Sequence, residues 1–288
     1  MKKSVAEIIT EQIIKRLEEG NIPWRKPWNG EALAPRNLVT GKPYRGINAF
    51  LLACTSFSSP YYLTFKQVQD KGGQVKEGAR SFPVVFWKIL TGEENETDDE
   101  KKIPVLRYYK VYSVEDTTLP IPELPQVERE FNPIEEAERI VEEMPMRPEI
   151  RTGEAKAYYV PLYDYINMPR KNLFHGDAEY YSTLFHELGH STGHMSRLAR
   201  KGVIEAGYFG DHDYSKEELV AEMTAAFLCG ECGIAAKTLD NSAAYIGGWI
   251  RTLKSKDNRN MVITAAGAAQ KAYDFILERK PEETKAAA

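Results

Sequence analysis

Three residues between positions 180 and 194 have the types and the spacing of a metal site. His186 and His190 are four residues apart, so on a helix both imidazoles project from one face and can bind the same ion. Glu187 follows the first histidine and is placed to take a proton from a water molecule held at that ion. The HExxH pattern therefore predicts a catalytic metal site. A buried helix with two merely hydrogen-bonded histidines is the alternative.

The flanking residues predict that this segment is a helix. Apolar residues recur at helical spacing from Tyr181 to Leu188, Asp177 can cap the start, and Gly193 is suited to ending it. Zinc is the ion that this motif usually binds, so we expect Zn²⁺ here, with His186 and Glu187 in the roles of ligand and general base.

A third protein ligand has to come from elsewhere, because catalytic zinc sites use three protein ligands and one water. One known pattern places a histidine ten residues after His186, but position 196 is Ser196. Glu218 and Glu222 lie one turn apart on a predicted helix, so one acid can bind metal while the other orients a ligating histidine. We predict Glu218 as ligand and Glu222 as the orienting acid. The reverse assignment stays open, as does a capping box between Ser215 and Glu218.

Several further residues could serve the same site. Candidates for stabilising a developing oxyanion are His194, Tyr208, His212 and Tyr214. The pair Cys229 and Cys232 has CxxC spacing but lacks a second pair, so we interpret both as small core residues.

Composition excludes several classes of protein. The chain has 288 residues, 42% of them hydrophobic, and only three cysteines, too few for a disulfide framework. Its first 20 residues predict an amphipathic helix, since Glu7 and Glu11 interrupt what would be the apolar region of a signal peptide. No apolar run reaches the roughly 20 residues of a membrane span. We therefore expect a cytoplasmic protein without a membrane partner.

Charge is distributed unevenly and predicts a nucleic-acid partner. The net charge is −4, yet residues 1–90 contain twice as many basic as acidic residues, with aromatic residues among them. Aromatic rings can stack on bases while cations contact phosphates, which is the mixture that single-stranded nucleic acid binds. Phe86 and Trp87 lie in an apolar run and are interpreted as core. The predicted DNA-binding residues are Trp24, Arg25, Lys26, Trp28, Lys42, Tyr44, Arg45 and Lys66.

The order of elements predicts an α+β protein of two domains. Two apolar runs rich in β-branched and aromatic residues would pair as a hairpin with an acidic tip at 91–102. Residues 119–133 are rich in proline and read as a linker. We therefore expect a small mixed α/β domain at 1–118 and a metal-binding domain at 134–288, where a strand–turn–strand unit precedes the metal helix.

Taken together, these motifs resemble the ArdC-type anti-restriction proteins of conjugative plasmids and related mobile elements. The resemblance rests on IPWRKPW, NLVTGKPYRGIN and VVFWK in the first half, and on HELGH and EELVAEM in the second. It implies an N-terminal domain that binds single-stranded DNA, a C-terminal zincin-like metallopeptidase domain, and action while DNA enters a new host. The acidic segment 91–102 does not match the family pattern.

Two functional hypotheses follow. The first is a metalloprotease recruited by DNA that cleaves a host protein. The second is a DNA-coating protein whose metal site is structural or vestigial. They differ in whether Glu187 is needed for protection against restriction.

Overall fold

The computed structural model describes residues 3–25, 34–91, 102–123, 132–204, 212–234, 243–255, 258 and 260–279. The helices are α1 (Val5–Glu18), α2 (Ile47–Ala53), α3 (Phe65–Asp70), α4 (Pro133–Glu143), α5 (Asp177–Ser191), α6 (Lys201–Ile204), α7 (His212–Cys232), α8 (Ala243–Lys254) and α9 (Met261–Ile276). The strands are β1 (Arg36–Asn37), β2 (Tyr61–Thr64), β3 (Phe82–Thr91), β4 (Lys102–Ser113), β5 (Glu149–Thr152), β6 (Tyr158–Val160) and β7 (Tyr165–Met168).

The N-terminal helix forms as its amphipathic pattern predicts. A capping box begins it: the Ser4 hydroxyl accepts from the Glu7 amide at 3.2 Å, and the Glu7 carboxylate accepts from the Ser4 amide at 2.8 Å. Its apolar face, including Ile9, Ile13 and Leu17, is buried. Helix α1 therefore packs as a core element of the protein.

The first half is built on a four-stranded sheet in the order β1-β2-β4-β3. The predicted hairpin is confirmed, since β3 and β4 pair antiparallel from Phe82 opposite Val111 to Thr91 opposite Lys102. Most of its predicted acidic tip, residues 92–101, lies outside the described residues. The Asn48 side chain bonds both the amide and the carbonyl of Val85, at 2.9 and 2.8 Å. Helix α2 is thus hydrogen-bonded to the outer edge of β3.

The second half combines a three-stranded sheet, in the order β5-β7-β6, with long helices. The predicted strand–turn–strand unit is confirmed by antiparallel β6 and β7, which pack on α5. Helix α7 lies between α5 and α9. The short helix α6 follows α5, and α7 begins at His212.

One hydrophobic core joins the two halves. The rings of Phe50 in α2 and Phe227 in α7 have centroids 4.6 Å apart, and residues of α1 belong to the same buried cluster as α7 and α9. Arg45 forms an ion pair with Asp274 of α9 across this junction. The predicted boundaries at 118 and 134 stay a prediction, because residues 124–131 of the linker lie outside the described residues.

The α+β fold class is confirmed, since both small sheets and a set of long helices are present. Among the helices of the described ranges, we find none with the length and apolar character that crossing a membrane requires.

Candidate metal centre

Helix α5 brings the two histidines of the HExxH motif together. One face of this helix is buried through Leu184, Phe185 and Leu188, which fixes its rotation. The Nε2 atoms of His186 and His190 lie 3.1 Å apart, and their rings are nearly perpendicular at 83°. Both imidazole nitrogens therefore face the same point in space.

Helix α7 supplies the carboxylate that completes the cluster. Oxygens of Glu218 lie 3.4 Å from His190 Nε2 and 3.6 Å from His186 Nε2, and the three candidate ligand atoms all lie within 4.8 Å of one another. Ligand atoms bound about 2.1 Å from one tetrahedral ion are separated by roughly 3.4 Å, so these separations fit one small divalent ion. Two imidazoles and one carboxylate are also a donor set that zinc accepts.

Gly189 lets the two helices approach closely enough for this arrangement. A Cβ atom added at Gly189 would lie 3.0 Å from Ala221 Cα and 3.2 Å from its carbonyl oxygen. Ala221 follows Glu218 by three residues on α7. The glycine between Leu188 and His190 is therefore needed for helix packing, because a side chain there would push Glu218 away from the histidines.

Glu187 lies beside the cluster and is largely enclosed. It is 7% exposed, and within the described part of the chain no group donates a hydrogen bond to its carboxylate. A carboxylate in this state, one residue from His186, can accept a proton from a water molecule or hold one for a departing group. This is the position that the sequence predicted for a general base.

Glu217, which the sequence interpretation missed, occupies the place expected for the orienting acid. Its Oε1 lies 3.6 Å from Nδ1 of His190, on the side of the ring opposite the cluster. Arg200 donates to both Glu217 oxygens, to Thr192 Oγ1 at 2.6 Å and to the carbonyl of Gly189 at 2.7 Å. Arg200 thus joins Glu217 to the end of the metal helix and orients it toward His190.

These carboxylates control the charge of His190. Burial opposes the charged imidazole, but Glu217 and Glu218 outweigh it and raise the pKa of His190 to about 10. Burial acts in the opposite direction on Glu218, whose pKa is nevertheless held well below its usual range by His186 and His190. The cluster without metal therefore holds a proton that a metal ion would displace.

Glu222 has a different partner from the one predicted. Its Oε2 accepts a hydrogen bond of 2.7 Å from Trp24 Nε1, in the buried junction between the two halves. The assignment of Glu222 as the acid that orients a ligating histidine was wrong, because Glu217 faces His190. The capping box at Ser215 was also wrong, since α7 begins three residues earlier, at His212.

A second arginine missed in the sequence holds the surrounding loops. The Arg197 guanidinium pairs with Asp164 and donates to the carbonyls of Ser191 and Met146, at 2.7 and 2.8 Å, and to Tyr159. It therefore ties the end of α5 to the β6–β7 turn. Among the oxyanion candidates, His194 bonds Ser196 through Nδ1, at 2.7 Å from the hydroxyl. Tyr208 and the side chains of His212 and Tyr214 lie outside the described residues.

The predicted DNA-binding residues fall into three groups. Trp24 is 0% exposed and packs edge-to-face on Trp249, so its prediction as a base-stacking residue was wrong. Tyr44 is half-buried in an aromatic cluster, and Arg45 is paired with Asp274, so neither is available as predicted. Lys42 and Lys66 are exposed. Lys26, Trp28 and the side chain of Arg25 lie outside the described residues.

Two other interpretations have opposite outcomes. Cys229 and Cys232 are fully buried, as expected of core residues, and burial raises the pKa of Cys229 to about 12, so its thiol stays protonated. Trp87 was interpreted as core, but it is 56% exposed. Strand alternation does not account for this exposure, because Val85 projects from the same side of β3 and is buried.

Two histidines of an HExxH helix and a carboxylate from a second helix are the geometry of a zincin-like site, and the comparison with known proteins agrees with this class. Residues 135–268 match the family described as zincin-like metallopeptidase, and residues 3–112 match the N-terminal domain of anti-restriction factor ArdC. The site at α5 and α7 lies in the first of these regions and the four-stranded sheet in the second.

The chain belongs to the ArdC family, which confirms the resemblance seen in the sequence. It is 35% identical to the antirestriction ArdC protein of plasmid R388, covering 97% of the chain of the metal-free crystal structure, with a TM-score of 0.75. The Mn(II)-bound structure of that protein gives a TM-score of 0.73. The chain is also 32% identical to the uncharacterized protein y4eC of Sinorhizobium fredii, over 91% of its length.

A larger relative contains a similar region. The DNA primase TraC of Escherichia coli is 35% identical over 96% of this chain, and the chain spans only 20% of that protein in one form and 27% in another. The similarity therefore concerns a segment of the primase. The Mn(II)-bound relative and the zincin-like match agree with a divalent metal at the cluster found here.

Proposed function

We propose that this chain is an anti-restriction protein of a mobile genetic element that binds single-stranded DNA and carries a zinc metallopeptidase site. The observation that carries the proposal is the convergence of His186, His190 and Glu218 beside Glu187, in a chain of the ArdC family. The proposed place of action is the cytoplasm of a cell that DNA is entering, and the proposed peptidase substrate is a host protein.

The chemistry follows from the enclosed carboxylate. Zinc bound at the cluster would supply a Lewis acid that polarises a peptide carbonyl and acidifies water. The Glu187 carboxylate accepts a proton from the attacking water as the water oxygen bonds to the carbonyl carbon. Glu187 then donates that proton to the amide nitrogen as the C–N bond breaks. Glu217 and Arg200 hold His190 with Nε2 toward the cluster during both steps.

An alternative with a purely structural metal is less well supported. This chain superimposes on the metal-free and the Mn(II)-bound forms of its R388 relative with TM-scores of 0.75 and 0.73. The shared fold therefore persists in that relative with and without metal. A site that is not needed for folding, and that has an enclosed carboxylate beside it, favours catalysis.

The test compares three proteins loaded with zinc: wild type, Glu187→Gln and His186→Ala. With denatured casein as probe, we expect cleavage by wild type alone, whereas Glu187→Gln keeps one equivalent of zinc and His186→Ala does not. Casein cleavage that survives Glu187→Gln would contradict the mechanism.

A transfer assay tests the anti-restriction part of the proposal. A plasmid encoding each variant is moved by conjugation into a restricting host, and survival of the plasmid is counted. Loss of protection in Glu187→Gln supports the peptidase hypothesis. Full protection by Glu187→Gln supports the DNA-coating alternative.

A further inference from the structure

A row of aromatic and basic side chains, most of them exposed, runs along β4 to the start of α3. Side chains alternate along a strand, so Tyr108, Lys110 and Tyr112 of β4 share a face, about 6.8 Å from one to the next. The Phe65 ring lies 6.4 Å from that of Tyr112, and Lys66 follows Phe65. We call these five residues the β4 stripe.

Four of the five side chains of the stripe are exposed, and Tyr112 is half-buried. Phe65 is 51% exposed and Tyr108 is 41% exposed, while Lys66 and Lys110 are also exposed. Neither lysine forms an ion pair within the part of the chain that the structure describes. The exposed rings can stack on a ligand, and the lysines can pair with its negative charges.

The basic residues of the sheet favour an anionic partner for this surface. Strands β2, β3 and β4 together contain four basic residues and no acidic residue, in a protein whose net charge is −4. The basic residues outside the stripe include Arg107, which is also exposed. A polyanion is therefore attracted to the end of the hairpin that holds Tyr108 to Tyr112, because the acidic segment 91–102 joins the two strands at their other end and the second half of the chain is also acidic.

The stripe also suits an unpaired chain better than a duplex. Bases of a single strand are free to stack on aromatic rings, whereas bases in a duplex already stack on each other. The strand holds Tyr108 and Tyr112 on either side of Lys110 and about 13.6 Å apart, so the two rings can hold bases of one strand that are not consecutive, with a cation between them. The backbone at Tyr108 is held in place from the neighbouring strand, because Val85 lies directly opposite Tyr108 and is itself hydrogen-bonded to Asn48. Binding therefore requires little further ordering of the protein.

We propose that the β4 stripe is the surface on which this chain binds single-stranded DNA, with bases stacked on Phe65, Tyr108 and Tyr112 and phosphates on Lys66 and Lys110. This inference rests on the proposed function and moves its DNA interface away from the segment around Trp24. Only Lys66 belongs to both the sequence prediction and the stripe.

The experiment measures binding of a labelled 20-nucleotide oligothymidylate to the full chain by fluorescence anisotropy, over a range of salt concentrations. The double change Phe65→Ala with Tyr108→Ala should weaken binding about tenfold or more at every salt concentration. Tyr108→Phe should keep wild-type affinity, because the ring remains. The double change Lys66→Gln with Lys110→Gln should reduce the slope of log affinity against log salt by about 1.4, or about 0.7 for each phosphate that a lysine no longer neutralises.

Matched controls lie in the second half of the chain. Tyr163 and Lys156 are exposed there, so Tyr163→Ala and Lys156→Gln should bind within twofold of wild type. A duplex of the same length should bind more weakly than the single strand, and the aromatic double change should alter its affinity little.

Two results separate this inference from the function on which it rests. If wild type binds the oligonucleotide and both double variants bind equally well, the stripe is not the interface, while DNA binding stands. If wild type does not bind it at all, the proposed function fails and the inference with it. Self-association of wild type without DNA that both double variants abolish, together with unchanged oligonucleotide affinity, would identify the stripe as an interface between copies and overturn the proposal.

Discussion

The metal centre is assembled from a short motif on α5 and one acid of α7, whereas the aromatic residues of the N-terminal half are positioned by contacts between distant segments. At the metal centre, residue type and spacing were enough to bring the two histidines together, because His186 and His190 share one helix and helical geometry fixes their relation. In the N-terminal half, Trp24 was expected on the surface and is buried, whereas Trp87 was expected in the core and is exposed. A local motif determines local geometry, but burial of one aromatic residue depends on distant partners.

The sharpest test of this contrast replaces the two tryptophans in turn. Trp24→Ala should destabilise the protein by about 3–5 kcal/mol, because it removes a fully buried ring and the hydrogen-bond partner of Glu222. Trp87→Ala should change the free energy of unfolding by about 0.5 kcal/mol or less, since its ring is mostly solvated. Urea unfolding followed by circular dichroism measures both. Equal destabilisation by the two changes would contradict the conclusion that Trp24 is a core residue and Trp87 a surface residue.

The second prediction concerns the arginine that holds Glu217. Arg200→Met should weaken zinc binding about 10- to 100-fold, because Glu217 then loses the clamp that orients it toward His190. Arg151→Met is the matched control: Arg151 is exposed and pairs with Glu149, which is not a residue of the cluster, so zinc affinity should be unchanged. Isothermal titration with zinc measures both variants. Wild-type affinity in Arg200→Met would show that Glu217 needs no clamp.

The third prediction tests the close helix packing beneath the ligands. Gly189→Ala should destabilise the protein by about 1–3 kcal/mol and weaken zinc binding, because the new methyl group meets the α7 backbone at Ala221. Gly267→Ala in α9 points into open space and should instead stabilise the protein by about 0.5–1 kcal/mol. Thermal unfolding without metal separates the two. A stabilising Gly189→Ala would mean that α5 and α7 can separate freely.

The fourth prediction concerns the proton held by His190. His190 has a pKa of about 10 without metal, against roughly 6.5 in an unfolded chain, so it is charged at pH 7. Its contribution to the stability of the metal-free protein is present below about pH 6.5 and is lost as pH rises through about 10. Zinc needs the neutral ring, so binding at pH 7 should release about one proton from His190. Calorimetric zinc titrations in buffers of different ionisation enthalpy measure the number of protons released. A binding heat that does not depend on the buffer would contradict the release of a proton.

Sequence was sufficient for elements whose signals are local. The hairpin, the strand–turn–strand unit and the helix at Asp177–Ser191 were predicted because their periods and turn residues lie within short segments. The preference for Glu218 as ligand stays a prediction, and it is Glu218 whose carboxylate lies near both histidines. Nothing in the local spacing distinguished Glu217 from Glu222 as the orienting acid.

The remaining failures arise from contacts between distant segments. Glu222 meets Trp24 across 198 positions of the chain, and Arg45 meets Asp274 across 229, so neither pairing leaves a local pattern. The alternation of Tyr108, Lys110 and Tyr112 was visible in the sequence. It was overlooked because the whole run was interpreted as apolar, without separating the two faces of the strand.

The central claim is that Glu218, and not Glu222, completes the metal site. It is tested most directly by metal analysis of purified protein after zinc loading and dialysis, with Glu218→Gln and Glu222→Gln as a matched pair. Wild type and Glu222→Gln should each hold one equivalent of zinc, while Glu218→Gln should hold less than about a tenth of one, because a neutral amide replaces the charged ligand. A full equivalent in Glu218→Gln, or its loss in Glu222→Gln alone, would contradict the account.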